Sequence, residues 1–295
     1  MQPIAGWLVA RPHNAVLGLA GTLMLPLAPI LSGAVMALLV LRQGPLKASV
    51  QAAIAVAVLT VIALIVNSSA MDLLANAIGT WVPVLLFAVL LRRWRSVTLT
   101  LQISVIVAAL AITAVFVVLG DPTVFWKQVL TEIAPILAQM GLQDQADVLL
   151  TRADEIAPQM TILVVFTSWS IYVSVLLLGY ALMQSLPGQK YAFGRFCDLN
   201  FGRVLATMMA VASVVAWLSN VAWLQNIAFL LFAVFWIQGL ALVHWLHAEG
   251  RLPIVAVAMV YVMVPLLNVL FVVALAIGGY ADAWFDYRKR IAMAN

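Results

Sequence analysis

The sequence predicts an all-α, polytopic integral membrane protein, a helical bundle of about eight hydrophobic segments with one amphipathic helical insertion. Three observations lead there. Of 295 residues, 65% are hydrophobic and only 9% charged, where an average soluble chain is about 25% charged. The apolar residues form runs long enough to cross a hydrocarbon core about 30 Å thick, which takes roughly 20 residues at helical rise. All charged side chains, 15 basic and 11 acidic, fall outside these runs. The net charge of +4 therefore comes from short basic clusters and not from one basic face, which excludes a soluble nucleic-acid binder. The single cysteine, Cys197, closes no intrachain disulfide and reads as a small, partly buried hydrophobe.

The charge-free segments are 15–41, 48–66, 73–91, 97–119, 159–183, 204–221, 224–246 and 254–280. Ahead of the first stands only Arg11, and the run behind it is too long for the core of a signal peptide, so it reads as a retained anchor. A helix that is apolar on all sides has no orienting stripe, so the connections must orient the bundle. Arg42 and Lys47, then Arg92, Arg93 and Arg95, then Lys190, Arg195 and Arg203, then Arg251 make the short connections basic. The long connection 121–158 holds six of the eleven acids against Lys127 and Arg152 alone. The preference of basic loops for the cytoplasm then puts 121–158 outside.

Six segments alternate under that rule, and the two end segments do not fit as simple spans. Pro26 and Pro29 lie near the middle of 15–41 and Pro265 lies in the middle of 254–280. Each proline lacks an amide and its ring clashes with the preceding turn, so each end segment is either one kinked span or a pair of half-helices folded back. Cytoplasmic termini with re-entrant character at both ends reconcile the charges.

Within the insertion 121–158, Phe125, Trp126, Val129, Leu130, Ile133, Ile136, Leu137 and Met140 recur at helical spacing. Asp121-Pro122 reads as a helix start and Gly141 as its end. A second helix is expected from about Gln143 to Ala157, stopped by Pro158. Such a piece is a structural lid or, alternatively, a moving gate or docking surface. Trp94, Trp126, Trp223, Trp245 and Trp284 sit near segment ends, where an amphipathic ring favours the headgroup layer. The chain reads as one membrane domain, 1–295, closing in a basic juxtamembrane tail, 281–295.

Catalytic constellations are missing from the sequence: no H-E-x-x-H, no Gly-x-Ser-x-Gly elbow, no P-loop and no dinucleotide fingerprint. His244 and His247, with Glu249 beside them, are three residues apart at a helix end, where interfacial hydrogen bonding is the simpler reading than a metal. No enzyme, metal or cofactor is expected. Ion-driven pumps normally place Asp, Glu, Lys or Arg at membrane depth, and these segments hold none of the four. Any cargo would meet neutral polar groups, chiefly Asn67-Ser68-Ser69 at a span end and Thr167 to Tyr172 inside the fifth segment. The candidate ligand-binding residues are Asn67, Ser168, Trp169, Ser170, Tyr172 and Gln238, with helix-to-helix hydrogen bonding as the plainer alternative. In the tail, Asp282, Trp284, Asp286 and Arg288 are candidate partner-docking residues, or simply a stop-transfer anchor at the headgroups. Alanine pairs such as Ala53/Ala57 and Ala212/Ala216 permit close helix approach without specifying it.

Ser32–Ala48 (SGAVMALLVLRQGPLKA), Trp236–Leu242 (WIQGLAL) and Ile277–Arg290 (IGGYADAWFDYRKR) resemble the YybS-like family of predicted bacterial multi-pass membrane proteins, along nearly the whole chain. That family has no assigned function. Its proposed wider kinship is with the S components of energy-coupling-factor transporters, small helical proteins that capture vitamins and related molecules. The resemblance implies a bacterial cytoplasmic (inner) membrane location and a ligand cavity among the helices. The leading expectation is therefore binding or permeation of a small neutral or amphiphilic molecule, with the lipid bilayer as the constant partner. The alternative is a non-catalytic scaffold or assembly factor for other membrane and envelope proteins.

Overall fold

A computed structural model describes residues 1–25, 27–66 and 69–293. Among them are fourteen α-helices and one short 3-10 turn, with no strand. The all-α membrane class is what the structure shows. Six helices are long and apolar enough to cross a membrane, and five of these bury only 22–33% of their most apolar stretch inside the fold. Residues such as Val117, Val118 and Trp217 are 77%, 78% and 82% exposed. Faces this apolar and this open match hydrocarbon and not water.

The chain divides into two compact units, residues 1–101 with 169–195, and residues 102–168 with 196–295. The first unit opens with α1 (Gln2–Ala10) and α2 (Pro12–Leu23), separated by Arg11 in extended conformation (φ −143°), as a residue before proline prefers. Next come α3 (Ala28–Gln43) and α4 (Pro45–Ile65). Gly44, at φ +98°, supplies the left-handed turn between them that a side chain would resist, and Pro45 opens α4 where its missing amide costs nothing. Ser69 caps α5 (Ala70–Trp94) by accepting from the Asp72 amide. Here α3 is the central helix: Val35 to Leu41 are buried without interruption.

Helix–helix association in lipid depends on close packing more than on apolar burial, so small residues mark the contacts. A Cβ on Gly33 would run into Val175, and one on Gly179 into Ala37 and the backbone at Ala34. Of the alanine pairs noted in the sequence, Ala53 and Ala57 are exposed, whereas Ala216 is buried and Ala212 half-buried.

The second unit takes most of α6 (Val97–Leu119), then α7 (Pro122–Gln139), α8 (Gln143–Thr151) and the start of α9 (Ala153–Gln184). Asp121 caps α7 by accepting from the Thr123 amide at 2.9 Å. Trp126 donates from Nε1 to Thr161 Oγ1 at 2.8 Å, and Lys127 pairs with Asp154, tying α7 to α9. Pro158 does not stop the second insertion helix as expected. That helix ends at Thr151, and α9 starts at Ala153 and runs through Pro158. A proline six residues into a helix frees only the carbonyl of Asp154, a residue whose side chain is 86% exposed.

Beyond lie α10 (Gly202–Ser219), α11 (Ala222–Ala233), α12 (Phe235–Ala248), α13 (Ile254–Phe285) and α14 (Tyr287–Met293). The two end segments resolve differently. Residues 15–41 are shared by two helices, of 12 and 16 residues, that stop at Leu23 and restart at Ala28. Segment 254–280 belongs to one 32-residue helix, so the fold-back expected at its middle is absent. Pro26 and the side chain of Pro265 lie outside the described residues.

Candidate functional site

Two polar arrangements stand out, one in each unit. The first is a groove of about 990 Å³ bounded by α1, α2, the end of α3 and α4. Its walls are Val9, Pro12, Val16, Leu46, Val50 and Ile54; its polar groups are His13, Arg42, Gln43, Lys47 and Gln51. On α4, Lys47, Val50 with Gln51, and Ile54 follow at helical spacing along one face, so the groove runs from a cationic mouth to an apolar end over about 10 Å at 1.5 Å per residue. The basic residues of this unit divide by use. Arg92 donates to the carbonyls of Leu41 (2.6 Å) and Val40 (3.3 Å), closing the C-terminal end of α3. Arg42 and Lys47 are exposed and have no acidic partner among the described residues. Gln51 is 7% exposed; its Nε2 donates to Gln43 Oε1 at 2.9 Å, and its own Oε1 has no partner.

The second arrangement is a buried network where α12, α13 and α14 meet the 3-10 turn Phe196–Asp198. Gln238, fully buried, accepts from the Phe201 amide (2.7 Å) and donates to Asp282 Oδ2 (3.0 Å) and Asn200 Oδ1 (3.3 Å). Arg288 Nη2 lies 3.1 Å from Asp282 Oδ2, with side chains 13% and 1% exposed, and Arg288 Nη1 donates to the Cys197 carbonyl at 2.7 Å. Burial pushes the Arg288 guanidinium down from its ordinary value, and the neighbouring Asp282 carboxylate pulls it back up. Asp286 holds Arg203 at 3.4 Å and Lys289 at 3.7 Å.

Glycines allow this network to form. A Cβ on Gly239 would strike the Leu275 carbonyl, and one on Gly279 the Phe235 carbonyl and the Gly239 amide, so α12 and α13 touch backbone to backbone. Phe235 fills the space beside them, edge-on to Phe201 at 5.7 Å and to Tyr280 at 5.4 Å. Thus WIQGLAL and IGGYADAWFDYRKR, 35 residues apart along the chain, meet across this contact.

The residues singled out from sequence therefore have these places. Asn67 and Ser68 lie outside the described residues. Trp169 is buried, Tyr172 spends its hydroxyl on the Gly79 carbonyl at 2.7 Å, and Ser170 Oγ is buried without a partner. None of Ser168, Trp169, Ser170 and Tyr172 lines the α1–α4 groove, and Gln238 holds helices together inside the fold. In the tail, Asp282 and Arg288 are buried against each other, whereas Trp284 (36%) and Asp286 (27%, side chain) keep partial exposure. His244 Nε2 meets Tyr261 OH and His247 Nδ1 meets the Leu252 carbonyl, each at 2.8 Å.

The groove was missed from sequence because its lining comes from four helices and its polar residues from three of them, α2, α3 and α4. The signal that could have found it is Lys47-x-x-x-Gln51, a cation and an amide one turn apart at the start of an apolar helix. No protein-family model, no curated protein and no solved structure matches the chain.

Proposed function

We propose that this multi-pass membrane protein is a non-enzymatic binder or permease for a small amphiphilic molecule, S-component-like in that it captures a ligand among its helices in a bacterial cytoplasmic membrane. The observation that carries the reading is the α1–α4 groove, which grades from Arg42 and Lys47 at its mouth to Ile54 at its apolar end. A volume of about 990 Å³ reaches the upper end of the range of small-molecule sites, about 300–1,000 Å³. The ligand's head would lie against the cations and the Gln51 amide, and its chain along Val16, Val50 and Ile54. This groove lies apart from the fifth-segment residues, where Tyr172 gives its hydroxyl to the Gly79 carbonyl and Trp169 is buried.

Thermal stability of the purified full chain, screened against single-chain amphiphiles, vitamins and nucleobases, tests the reading. A ligand present at a hundred times its dissociation constant adds about 2.7 kcal/mol of apparent stability. The expected result is a shift with an amphiphile that disappears in Val50→Trp, which fills the groove. A Val50→Trp protein that responds like the parent contradicts the assignment.

A further inference from the structure

The chemistry of the groove points to a particular class of occupant, and we infer that it holds a membrane phospholipid with an anionic, hydroxyl-bearing headgroup, such as phosphatidylglycerol. This rests on the amphiphile-binding reading and narrows it. Three features select that headgroup. Arg42 and Lys47 converge on the mouth from the end of α3 and the first turn of α4 without an acidic partner among the described residues, while Arg92, in the same unit, is consumed by the α3 carbonyls. Two uncompensated cations fit one phosphate, and a zwitterionic headgroup would bring its own cation beside them. Gln51 stands one turn deeper, 93% buried by the 7% exposure of its side chain's residue, with Oε1 unpartnered and Nε2 already given to Gln43. Oε1 is closed to solvent, and a buried, unpaired acceptor is costly, so a headgroup hydroxyl would pair with it once the Gln51 side chain turns toward the groove. Val50 and Ile54 continue the same face toward the apolar end, where an acyl chain follows. The bases that set the mouth lie in a connection whose charge favours the cytoplasmic side, where anionic lipid attracts such clusters.

Native mass spectrometry of the detergent-solubilised full chain, titrated with lipids of identical acyl chains, tests the inference. Phosphatidylglycerol is expected to bind about thirty-fold more tightly than phosphatidylcholine, at about fivefold per base. Arg42→Gln/Lys47→Gln should erase that ratio, while Arg93→Gln/Lys190→Gln, which removes two bases outside the groove, should keep it. Phosphatidylmethanol, an anion without a hydroxyl, should bind more weakly than phosphatidylglycerol in the parent and equally in Gln51→Leu. Equal binding of phosphatidylglycerol and phosphatidylcholine, both lost in Val50→Trp, overturns the anionic headgroup and leaves the amphiphile reading standing. Equal binding that Val50→Trp does not disturb overturns both. Competition by water-soluble glycerol 1-phosphate as strong as that of the lipid overturns the membrane source.

Discussion

Replacing Arg288 by methionine isolates the energetics of the buried network. The substitution keeps most of the side chain's length and removes the charge that faces Asp282, a residue with no exposed surface. Breaking a buried ion pair from one side costs about 3–5 kcal/mol, because the remaining charge stays desolvated. Gln238 Nε2 still donates to Asp282 at 3.0 Å, which holds the expected loss near the lower end, about 3 kcal/mol. The double variant Asp282→Leu/Arg288→Met removes both charges and leaves Gln238 Nε2 with Asn200 at 3.3 Å, so its cost should be about 1–2 kcal/mol, less than that of Arg288→Met alone. Reversible unfolding in mixed micelles, read through the complete double-mutant cycle, measures the coupling. A loss below about 1 kcal/mol for Arg288→Met, or strict additivity, would refute the reasoning.

Other expectations follow from single contacts. Gly239→Ala and Gly279→Ala each press a methyl group into backbone atoms of the facing helix, and each should cost about 1–3 kcal/mol or more in the same micelle assay, whereas Gly278→Ala, which meets no atom, should be nearly neutral. Trp81→Phe removes the 2.9 Å bond from Nε1 to the fully buried Ser32 Oγ and should cost about 1 kcal/mol; Ser32 keeps its bond to the Leu19 carbonyl, which limits the loss. The Thr123 hydroxyl and amide hold the Asp121 carboxyl below its ordinary value of 3.8. Because a lowered carboxyl favours the folded cap above that value, the cap should be intact at neutral pH and lost as pH falls through a point below 3.8, seen as movement of the Thr123 amide resonance with that midpoint.

Much of the fold was legible because lipid imposes a simple rule: a span must be long, apolar and internally hydrogen-bonded. Segments 48–66, 73–91 and 97–119 accordingly correspond to single helices. Proline was the weaker guide. Pro83 and Pro158 both sit inside helices, whereas the stop at Leu23 comes before the first proline of its segment. The cost of a missing amide depends on whether the freed carbonyl finds another partner, and that is a tertiary fact. Glycine contacts were invisible for a similar reason. Gly239 and Gly279 look like ordinary residues of apolar runs until the facing backbone of Leu275 and Phe235 is known. Charge was read correctly as lying outside the hydrophobic segments, but α13 extends past 280 and carries Asp282 into the protein, where Arg288 meets it. Of the candidate site, the basic character of Arg42 and Lys47 was plain, and their convergence on one groove with Gln51 was not.

Photocrosslinking from within the groove tests the central claim most directly. With p-benzoylphenylalanine at Ile54, which lines the groove and is 49% exposed, and in a second protein at Val61, 56% exposed on the same helix outside the groove, adducts are identified after irradiation in a bilayer of known composition. Adducts at Ile54 should be enriched in one amphiphile, while those at Val61 mirror the bilayer. The same bulk composition at both positions would contradict a binding groove and reduce it to ordinary lipid-facing surface.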